Sequence, residues 1–541
     1  MADVPLPAWV KEIRPHQQDA VDEAIELYKQ GIQVVMMDAP TGSGKTLIAE
    51  LIRRRLDDEK LSARALYVCS DKALMRQAAN DFPYAKMLMG KANYPTQNDP
   101  SMSADDCTAR GPDDACWFCD DGHGSCPYQL AKVEAMRAKL AITNTSFLLT
   151  EANYVGRFSN QPFIIADEAD TLEGMLMGFV EYNVSDRRIK EFGMETPGKG
   201  VHKATLVKWL QEFQSVVTKA SMKLAVKNDP ANMKAMRRLM ALAGETERVA
   251  SEFIKEIARK QDGENEGRWL RDYNDRTGGL ILKPVMVDSY GTRQLWRHGK
   301  RWLLMSATII SSDEMADSLG LPLSYATVEV PMTFPVENRP VILAPVANVV
   351  YKEMHIAVPR LVKAIVAVIH KHPEDRVLVH TVSYKLAKDL SEGVRQALRG
   401  TDQERRPLLT YSEGRDKDAT LDRYKKQKAA VMFAPSMGRG VDLPGDLCRV
   451  QVIAKVPFLS LGDTQVSRRI HMPGGDTWYA VQAVRDVVQM TGRGVRSKDD
   501  HAVTYIFDQQ FASNLWRKHK GLFPAWWRES VITNRSAKEF M

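Results

Sequence analysis

The sequence has no long apolar run. A helix that crosses a bilayer needs about 18 to 20 consecutive apolar residues, whereas the longest candidates, such as residues 361–369, are short and are interrupted by Lys363. The first residues, MADVP, also lack the basic start and apolar stretch of a secretory signal. These absences argue against a membrane-spanning or secreted chain and give a cytoplasmic location as the default expectation.

Cysteine is scarce, with six residues in a chain of 541. Cys69 and Cys448 stand alone inside apolar segments, which is typical of buried small hydrophobic residues. The other four fall within twenty residues of one another, at Cys107, Cys116, Cys119 and Cys126. In a cytosolic protein such a cluster indicates a metal site rather than a disulfide framework.

The composition is that of a soluble globular protein, with 44% hydrophobic and 26% charged residues. This excludes a disordered or fibrous chain, and the length allows roughly three or four domains. The net charge of +7 and the isoelectric point of about 8.9 are compatible with a polyanionic partner. Charge alone is weak support for such a partner.

A glycine-rich loop near the start of the chain has the context of a phosphate-binding loop. A β-rich run (IQVVMMD, residues 32–38) leads directly into APTGSGKT at residues 39–46, and apolar residues then recur at helical spacing over residues 47–56. A strand, a glycine loop and a helix in this order are what a Walker A loop requires. A chance glycine-rich turn is the alternative, and the flanking pattern argues against it.

The residue types of this loop match the chemistry of a bound triphosphate. Gly42 and Gly44 let backbone N–H groups turn toward phosphate oxygens, and Lys45 reaches the β- and γ-phosphates. The hydroxyl of Thr46 is a ligand for Mg²⁺. The candidate ATP-contacting residues are therefore Thr41, Gly42, Ser43, Gly44, Lys45 and Thr46.

An acidic pair follows a second apolar strand, PFIIA at residues 162–166. It reads DEAD, residues 167–170, at the strand edge where α/β sheets carry functional groups. We expect Asp167 to bind Mg²⁺ and Glu168 to orient and polarise the attacking water. Taken alone these four residues could also be the start of a helix, but the upstream phosphate loop favours the catalytic interpretation.

Two weaker signals belong to the same half of the chain. Arg14 and Gln17 lie one helix before the phosphate loop, where a glutamine amide offers a donor and an acceptor to the adenine edge; a polar helix cap is the alternative. A further strand at residues 301–305 runs into Ser306-Ala307-Thr308.

The alternation of strands and helices restarts at about Val341. Strand candidates lie at residues 376–380, 408–411, 430–433, 450–454 and 503–507, with a helix-like segment at 384–398. Strands that alternate with helices indicate a parallel sheet covered on both faces. The fold class is therefore α/β, with two parallel-sheet lobes.

Arginines in this second half have the pattern of a phosphate sensor. The segment QMTGRGVR places Gln489, Arg493 and Arg496 after a helix, with the two guanidinium groups about one helical turn apart. Facing a γ-phosphate, they would act as arginine fingers, an effect of roughly 10³ to 10⁵ in rate. The segment GRGVD adds Gly440 and Asp442 as candidate nucleotide contacts. A solvated basic helix face is the alternative.

The motifs APTGSGKT, DEAD, SAT, GRGVD and QMTGRGVR, in this order, resemble superfamily 2 helicases. The four-cysteine insert, which lies between the phosphate loop and the acidic box, narrows the resemblance to iron–sulfur helicases of the XPD and DinG type. The segment TNTSFLL before the box and GLFPAWW near the C-terminus are similar to that family too. Ala39 replaces the first glycine of the general Walker pattern, a form familiar in helicases, and Asp170 stands where the family usually has histidine.

This resemblance implies two RecA-like lobes that hydrolyse ATP between them, and a [4Fe–4S] cluster on the four cysteines. Their spacing, C-x₈-C-x₂-C-x₆-C, does not by itself separate iron–sulfur from zinc, because both take four thiolates. Helical spacing between the acidic box and Ser306 resembles the family's helical arch. The expected domains are lobe 1 in three parts (residues 1–105, 139–184 and 281–325), the cluster insert (106–138), the arch insert (185–280) and lobe 2 (326–541).

The leading functional hypothesis is an ATP-dependent DNA helicase, with 5′→3′ polarity implied by the resemblance only. Expected partners are single-stranded DNA and forked or tailed duplex DNA, with recruitment by replication, repair or CRISPR-type complexes left open. A translocase on RNA or on an RNA–DNA hybrid is the second hypothesis. A non-enzymatic strand-binding subunit is the third, and the intact Lys45, Asp167, Glu168, Arg493 and Arg496 argue against it.

Overall fold

The chain is described by a computed structural model that covers residues 6–7, 9–97, 100–105, 107, 126–225, 230–261, 268–274, 278–435, 443–495 and 497–533. These residues form two seven-stranded sheets and one three-stranded sheet. Within these ranges, none of the helices combines the length and the apolar character that crossing a membrane requires. The two large sheets confirm the predicted pair of parallel-sheet lobes, which we call lobe 1 and lobe 2.

The strands of the first 330 residues belong to lobe 1 and to an insert within it. In chain order they are β1 (Val34–Asp38), β2 (Ala65–Cys69), β3 (Lys86–Met87), β4 (Leu140–Asn144), β5 (Ile164–Asp167), β6 (Tyr182–Val184), β7 (Trp269–Tyr273), β8 (Leu280–Pro284), β9 (Trp302–Ser306) and β10 (Tyr325–Glu329). The lobe 1 sheet has the order β10-β1-β9-β5-β2-β4-β3, with all neighbours parallel. The predicted strands at 32–38, 162–166 and 301–305 are therefore confirmed to within two residues.

Eleven α-helices accompany these strands in the described residues. They are α1 (Pro15–Lys29), α2 (Lys45–Asp58), α3 (Lys72–Asp81), α4 (Pro127–Arg137), α5 (Thr145–Thr150), α6 (Leu172–Val180), α7 (Asp186–Lys190), α8 (Lys203–Ala225), α9 (Pro230–Gln261), α10 (Asp288–Gln294) and α11 (Ser312–Ser318). Several begin at side chains that accept backbone hydrogen bonds, as Asp71 does for α3 and Ser311 for α11.

The core of lobe 1 lies on both faces of its sheet. Alternate residues of β1 point to opposite sides, so that Val34 and Met36 join one apolar cluster and Val35 and Met37 the other. Strands that are buried on both faces are continuously apolar, as expected for a parallel sheet. The carboxyl ends of β1, β5 and β9 carry the polar residues Asp38, Asp167 and Ser306.

The insert between the acidic box and Ser306 contains the long helices α8 and α9, which pack against each other, and a small antiparallel sheet of order β6-β8-β7. Leu206, Leu210, Phe213 and Val217 form the buried face of α8, as their spacing predicts. We call the small sheet the insert sheet. The sequence pattern does not predict it, because its strands are short and the segment between the acidic box and Ser306 has helical spacing.

Lobe 2 repeats the α/β alternation. Its strands are β11 (Val341–Ala347), β12 (Val377–His380), β13 (Leu408–Thr410), β14 (Val431–Ala434), β15 (Val450–Ile453), β16 (Val503–Asp508) and β17 (Val531–Ile532), in the parallel order β13-β14-β12-β15-β16-β11-β17. Its α-helices are α12 (Met354–Lys371), α13 (Tyr384–Ala397), α14 (Lys417–Lys426), α15 (Thr464–Arg469), α16 (Gly475–Thr491), α17 (Arg517–His519) and α18 (Ala525–Glu529). All five strands proposed for this half are confirmed.

The topology gathers the chemistry at one edge. Strand β9 lies between β1 and β5, so the ends of these three parallel strands are neighbours. In register, Asp38 is opposite Ser306 and Asp167 is opposite Met305. The phosphate loop, the acidic box and Ser306 therefore meet at the carboxyl edge of the lobe 1 sheet.

Candidate active site

The phosphate loop connects β1 to α2 through backbone that only glycine adopts easily. Gly42 and Gly44 have φ of +85° and +87°, in the left-handed region. A Cβ atom on Gly44 would lie 2.3 Å from the amide nitrogen of Gln17. Glycine at position 44 is thus required twice, once by its dihedral angle and once by the close approach of α1.

Lys45 and Glu168 form an ion pair across the edge of the sheet. Their Nζ and Oε1 atoms are 3.2 Å apart, and both side chains are largely covered. Burial lowers the pKa of Lys45, but the charges of Glu168 and Asp167 outweigh it, and the pKa is raised overall. The ammonium group therefore stays charged, and a γ-phosphate would compete with Glu168 for it.

Asp167 is held from the side of β2. Its Oδ2 accepts a 2.9 Å hydrogen bond from the hydroxyl of Tyr67, which also contacts the side chain of Thr46. Burial raises the pKa of Asp167, and the charge of Lys45 opposes that rise. Thr46 and Asp167, the two predicted magnesium ligands, are thus connected through one buried tyrosine. The next residue, Glu168, has a φ of +50°, which is uncommon for a non-glycine residue.

A cavity of about 430 Å³ opens beside the phosphate loop. Gln17 lines it and is buried, and its amide is already held by two protein groups. Its Oε1 accepts from the backbone N–H of Arg14 at 3.0 Å, and its Nε2 donates to the carbonyl of Ser43 at 2.9 Å. One N–H and one lone pair remain for a base. The cavity is lined by Trp9, Val10, Lys11, Glu12, Arg14, Gln17, Gly42, Gly44, Thr46, Leu47 and Asp81.

Asp170 contacts residues of both lobes at the site. Its carboxylate is fully buried and accepts hydrogen bonds from Ser306 Oγ (2.9 Å) and Thr308 Oγ1 (3.2 Å) of lobe 1. From lobe 2, the amide of Gln489 donates to Asp170 at 3.2 Å and to Thr308 at 3.1 Å. The guanidinium of Arg485 donates to the carbonyl of Thr308 and lies 3.8 Å from the same carboxylate.

The segment after α16 approaches the phosphate loop. A Cβ atom on Gly492 would lie 3.9 Å from Thr41 Oγ1. Arg493 is buried. The burial of His380 and, to a smaller extent, the charge of Arg493 lower the pKa of His380 to about 3. Arg493 therefore lies near the carboxyl end of β12, on the lobe 2 side of the cleft. Arg496, Gly440 and Asp442 lie outside the described residues.

Sequence families match the chain in two segments. The family described as "Helicase C-terminal domain" matches residues 365–530, and the one described as "Type III restriction enzyme, res subunit" matches residues 10–175. The chain is 24% identical over 442 residues to "ATP-dependent DNA helicase YoaA" of Haemophilus influenzae, an alignment that covers 72% of this chain and 67% of that one. It is 22% identical over 280 residues to "ATP-dependent DNA helicase DinG" of Photobacterium profundum, covering 48% and 39%.

The fold resembles that of a solved structure titled "XPD_Helicase". The two share a TM-score of 0.62 at 14% identity, over 97% of this chain and 100% of that chain. The order of the lobes, the residues at the site edge and the sequence matches are all consistent with the motifs of the sequence. The chain is therefore similar to helicases of the XPD and DinG type. The alignments extend over only part of the two sequence relatives, 67% and 39% of their lengths.

Position 170 carries aspartate where the resembled family usually has histidine, and this aspartate contacts Gln489 of lobe 2. Its two oxygens serve Ser306, Thr308 and Gln489 together, and a carboxylate has enough lone pairs for all three. The acidic box therefore contacts, through this residue, the helix that precedes Arg493.

The predicted cluster residues are only partly described. Cys107 and Cys126 are both half-buried, and Cys126 precedes α4 directly. Cys116 and Cys119 lie outside the described residues. The described ranges contain no group of three or more potential metal-binding side chains.

Sequence reasoning missed several residues of the candidate site. Tyr67 carries no local signal, because a tyrosine in a buried strand is usually core. The sequence does contain a signal for Arg485. Successive members of the set Trp478, Gln482, Arg485 and Gln489 are 4, 3 and 4 residues apart, which is the spacing of one helix face. Asp38 was also missed. Burial and the charge of Glu329 raise its pKa to about 7.

Proposed function

We propose that the chain is an ATP-dependent DNA helicase or translocase whose hydrolysis is stimulated by single-stranded DNA and which moves with 5′→3′ polarity. One observation carries the proposal. The phosphate loop and the acidic pair of lobe 1 share an edge with Asp170, which accepts a hydrogen bond from Gln489 of lobe 2. A nucleotide bound at this edge would contact both lobes, so its hydrolysis would change how the lobes are held together.

Four residues of lobe 1 have separate roles in the proposed hydrolysis of ATP. Lys45 binds the β- and γ-phosphates in exchange for its contact with Glu168, which is then free to orient the attacking water. Thr46 and Asp167 would hold the magnesium ion, which supplies charge neutralisation to the phosphates. Tyr67 supports this pair, because it contacts both side chains.

Lobe 2 would supply the positive charge that transition-state oxygens require. We assign this role to Arg493 and Arg496, with Gln489 connecting their segment to Asp170 and Thr308. Gly440 and Asp442 remain proposed nucleotide contacts on the basis of their motif. Arg14 and Gln17 would bind the adenine, since Gln17 lines the cavity beside the loop and retains one donor and one acceptor.

DNA is the proposed substrate because the relatives YoaA and DinG are named as ATP-dependent DNA helicases. The net charge of +7 is compatible with it. Matched tailed substrates of DNA–DNA and RNA–DNA would test the choice. Faster unwinding of the DNA duplex supports the proposal, and activity confined to the hybrid contradicts it.

We further propose that Cys107, Cys116, Cys119 and Cys126 bind a [4Fe–4S] cluster, which would stabilise the fold of residues 106–138. The donor set fits, because four thiols in twenty residues are the complete ligand set that such a cluster takes. Zinc takes the same set. Metal analysis of anaerobically purified protein distinguishes them, since about four irons per chain support the cluster and one zinc contradicts it. Cys116→Ser should lower the iron content. It should also lower the rate of strand separation more than the rate of ATP hydrolysis, because the phosphate loop is not part of the cluster segment.

We keep the predicted domain boundaries in this proposal with one change: the end of lobe 1 moves from residue 325 to Glu329, because β10 pairs with β1. We assign residues 185–280, with α8 and α9, to the arch of the family. Their packing against each other supports an independent helical unit beside the small insert sheet.

The test is the rate of ATP hydrolysis with and without single-stranded DNA. The proposal expects a rise in rate on adding DNA, because closure of the lobes needs both ligands. Lys45→Ala should remove activity under both conditions. A wild-type rate that does not respond to DNA would contradict a motor and leave a nucleotide switch.

A further inference from the structure

Arg469, the last residue of α15, connects lobe 2 to lobe 1 away from the phosphate loop. It is 2% exposed and forms an ion pair with Glu173 of α6. Its guanidinium donates to Ser318 Oγ at 2.5 Å and lies 3.8 Å from Glu314, both on α11. One buried side chain of lobe 2 thus contacts two helices of lobe 1.

The lobe 1 carboxylates depend on this arginine. Glu173 and Glu314 are close enough that burial and the charge of Glu173 raise the pKa of Glu314, while Arg485 and Arg469 oppose the rise. Glu173 also accepts from Trp478 at 3.2 Å and from Gln482 at 3.5 Å. Without Arg469, the buried carboxylate of Glu314 and the partly buried one of Glu173 would face each other with much of their charge compensation removed, which is unfavourable.

Arg469 is rigidly connected to α16. Gly474 has a φ of +74°, which turns the chain sharply between α15 and α16. A Cβ atom on Gly475 would lie 2.0 Å from the carbonyl oxygen of Arg469, so the two helices approach as closely as backbone allows. The guanidinium also lies 4.0 Å from the ring centroid of Trp478 in α16. The position of Arg469 therefore fixes the start of α16.

Helix α16 is consequently attached to lobe 1 at two places. Its first turns contact Glu173 through Trp478 and Gln482, and its last turn contacts Asp170 through Gln489. Gln489 follows Trp478 by eleven residues, which is about 16 Å along a helix. Two separated attachments determine the direction of a rod, whereas one permits rotation about it.

We propose that Arg469 is a positioning residue that fixes the direction of α16 on lobe 1 and so aligns Arg493 with the phosphate loop. This inference rests on the proposed ATP hydrolysis at that loop. Arg469 does not act on the nucleotide: its contacts are with α6, α11 and α16, and the Lys45 loop is not among them. The effect on rate is through geometry, where a displacement of about 1 Å can cost about 100-fold.

The test compares Arg469→Gln with Arg469→Lys and with Arg468→Gln. Arg468 is the exposed neighbour on the same helix, so its variant controls for the loss of one positive charge from α15. We expect Arg469→Gln to lower the DNA-stimulated kcat by about 10- to 100-fold with KM for ATP changed by less than about threefold, because the phosphate loop and the cavity beside it are built from lobe 1 residues. Arg469→Lys should recover part of kcat, since it restores the charge without the fork geometry.

A second measurement does not depend on activity. The radius of gyration from small-angle X-ray scattering without nucleotide should increase in Arg469→Gln and stay at the wild-type value in Arg468→Gln. Equal kcat and equal scattering for these two variants would overturn the inference, as would a loss seen in KM rather than kcat. A wild-type protein without DNA-stimulated hydrolysis would contradict the proposed function instead, while the scattering comparison would still test the attachment.

Discussion

Removing the carboxylate at position 170 tests whether the two lobes communicate through this residue. Asp170→Ala deletes the acceptor for Ser306, Thr308 and Gln489 at once. The two hydroxyls can turn to each other, since their oxygens are 3.2 Å apart, but the amide of Gln489 loses its acceptor in lobe 1 apart from Thr308. A hydrogen bond to a charged group contributes about 1.5 to 3 kcal/mol. At about 1.36 kcal/mol per tenfold in rate, we expect DNA-stimulated kcat to fall by about 10- to 100-fold.

Asp170→Asn provides the matched comparison. The asparagine can present its oxygen to Gln489 and Thr308 and its N–H group to the Ser306 hydroxyl, so that the hydrogen bonds persist and only the charge is lost. Neutral hydrogen bonds are weaker by about 1 kcal/mol, which corresponds to about a fivefold decrease in kcat. The assay is steady-state ATP hydrolysis at saturating DNA, with thermal unfolding to verify the fold. Activity of Asp170→Ala within about threefold of wild type would refute this reasoning, as would an asparagine variant that is as defective as the alanine one.

Three further predictions concern other residues of the site. Glu168→Gln should bind ATP without turnover, measured by nucleotide retention on a filter, and near-wild-type turnover would contradict its role in orienting water. Arg493→Ala should lower kcat much more than nucleotide affinity; a loss that appears only in affinity would exclude the arginine-finger role. Asp38 has a pKa of about 7 in the folded chain against about 3.9 when unfolded, so the folded state retains a proton that the unfolded state releases. Its contribution to the free energy of unfolding should decrease as the pH rises from about 4 to about 7, by up to about 4 kcal/mol. Asp38→Asn should therefore exceed wild type in melting temperature at pH 8 and converge with it near pH 4; parallel profiles would contradict the assignment.

Much of the fold follows from local pattern. The strands that carry the site are continuously apolar and end in polar residues, so their limits were predictable to within two residues. The glycines of the phosphate loop were predictable, because such a loop needs left-handed backbone, which favours glycine, and Gly42 and Gly44 do have positive φ. The insert sheet was not predictable, since two long helices separate β6 from its partner strand β8 in the sequence and tertiary contacts set this pairing.

The contacts between the lobes were the least accessible to sequence reasoning. Arg469 and Glu173 lie 296 residues apart, and neither belongs to a motif that names a partner. The partners of such an ion pair depend on how the two folded lobes pack against each other. The 4-3-4 spacing on α16 shows which face is buried but not which lobe covers it. The orientation of the Gln17 amide likewise depends on the carbonyl of Ser43, which no spacing reveals.

We propose that ATP hydrolysis between the lobes separates DNA strands with one polarity. The direct measurement is ATP-dependent strand displacement from duplexes that carry a single-stranded tail at the 5′ or the 3′ end, with Lys45→Ala as the control. We expect the wild-type protein to displace the strand of the 5′-tailed duplex and little of the 3′-tailed duplex, and the variant to displace neither. Displacement that persists in Lys45→Ala, or its absence from every tailed duplex while hydrolysis proceeds, would contradict strand separation driven by ATP hydrolysis.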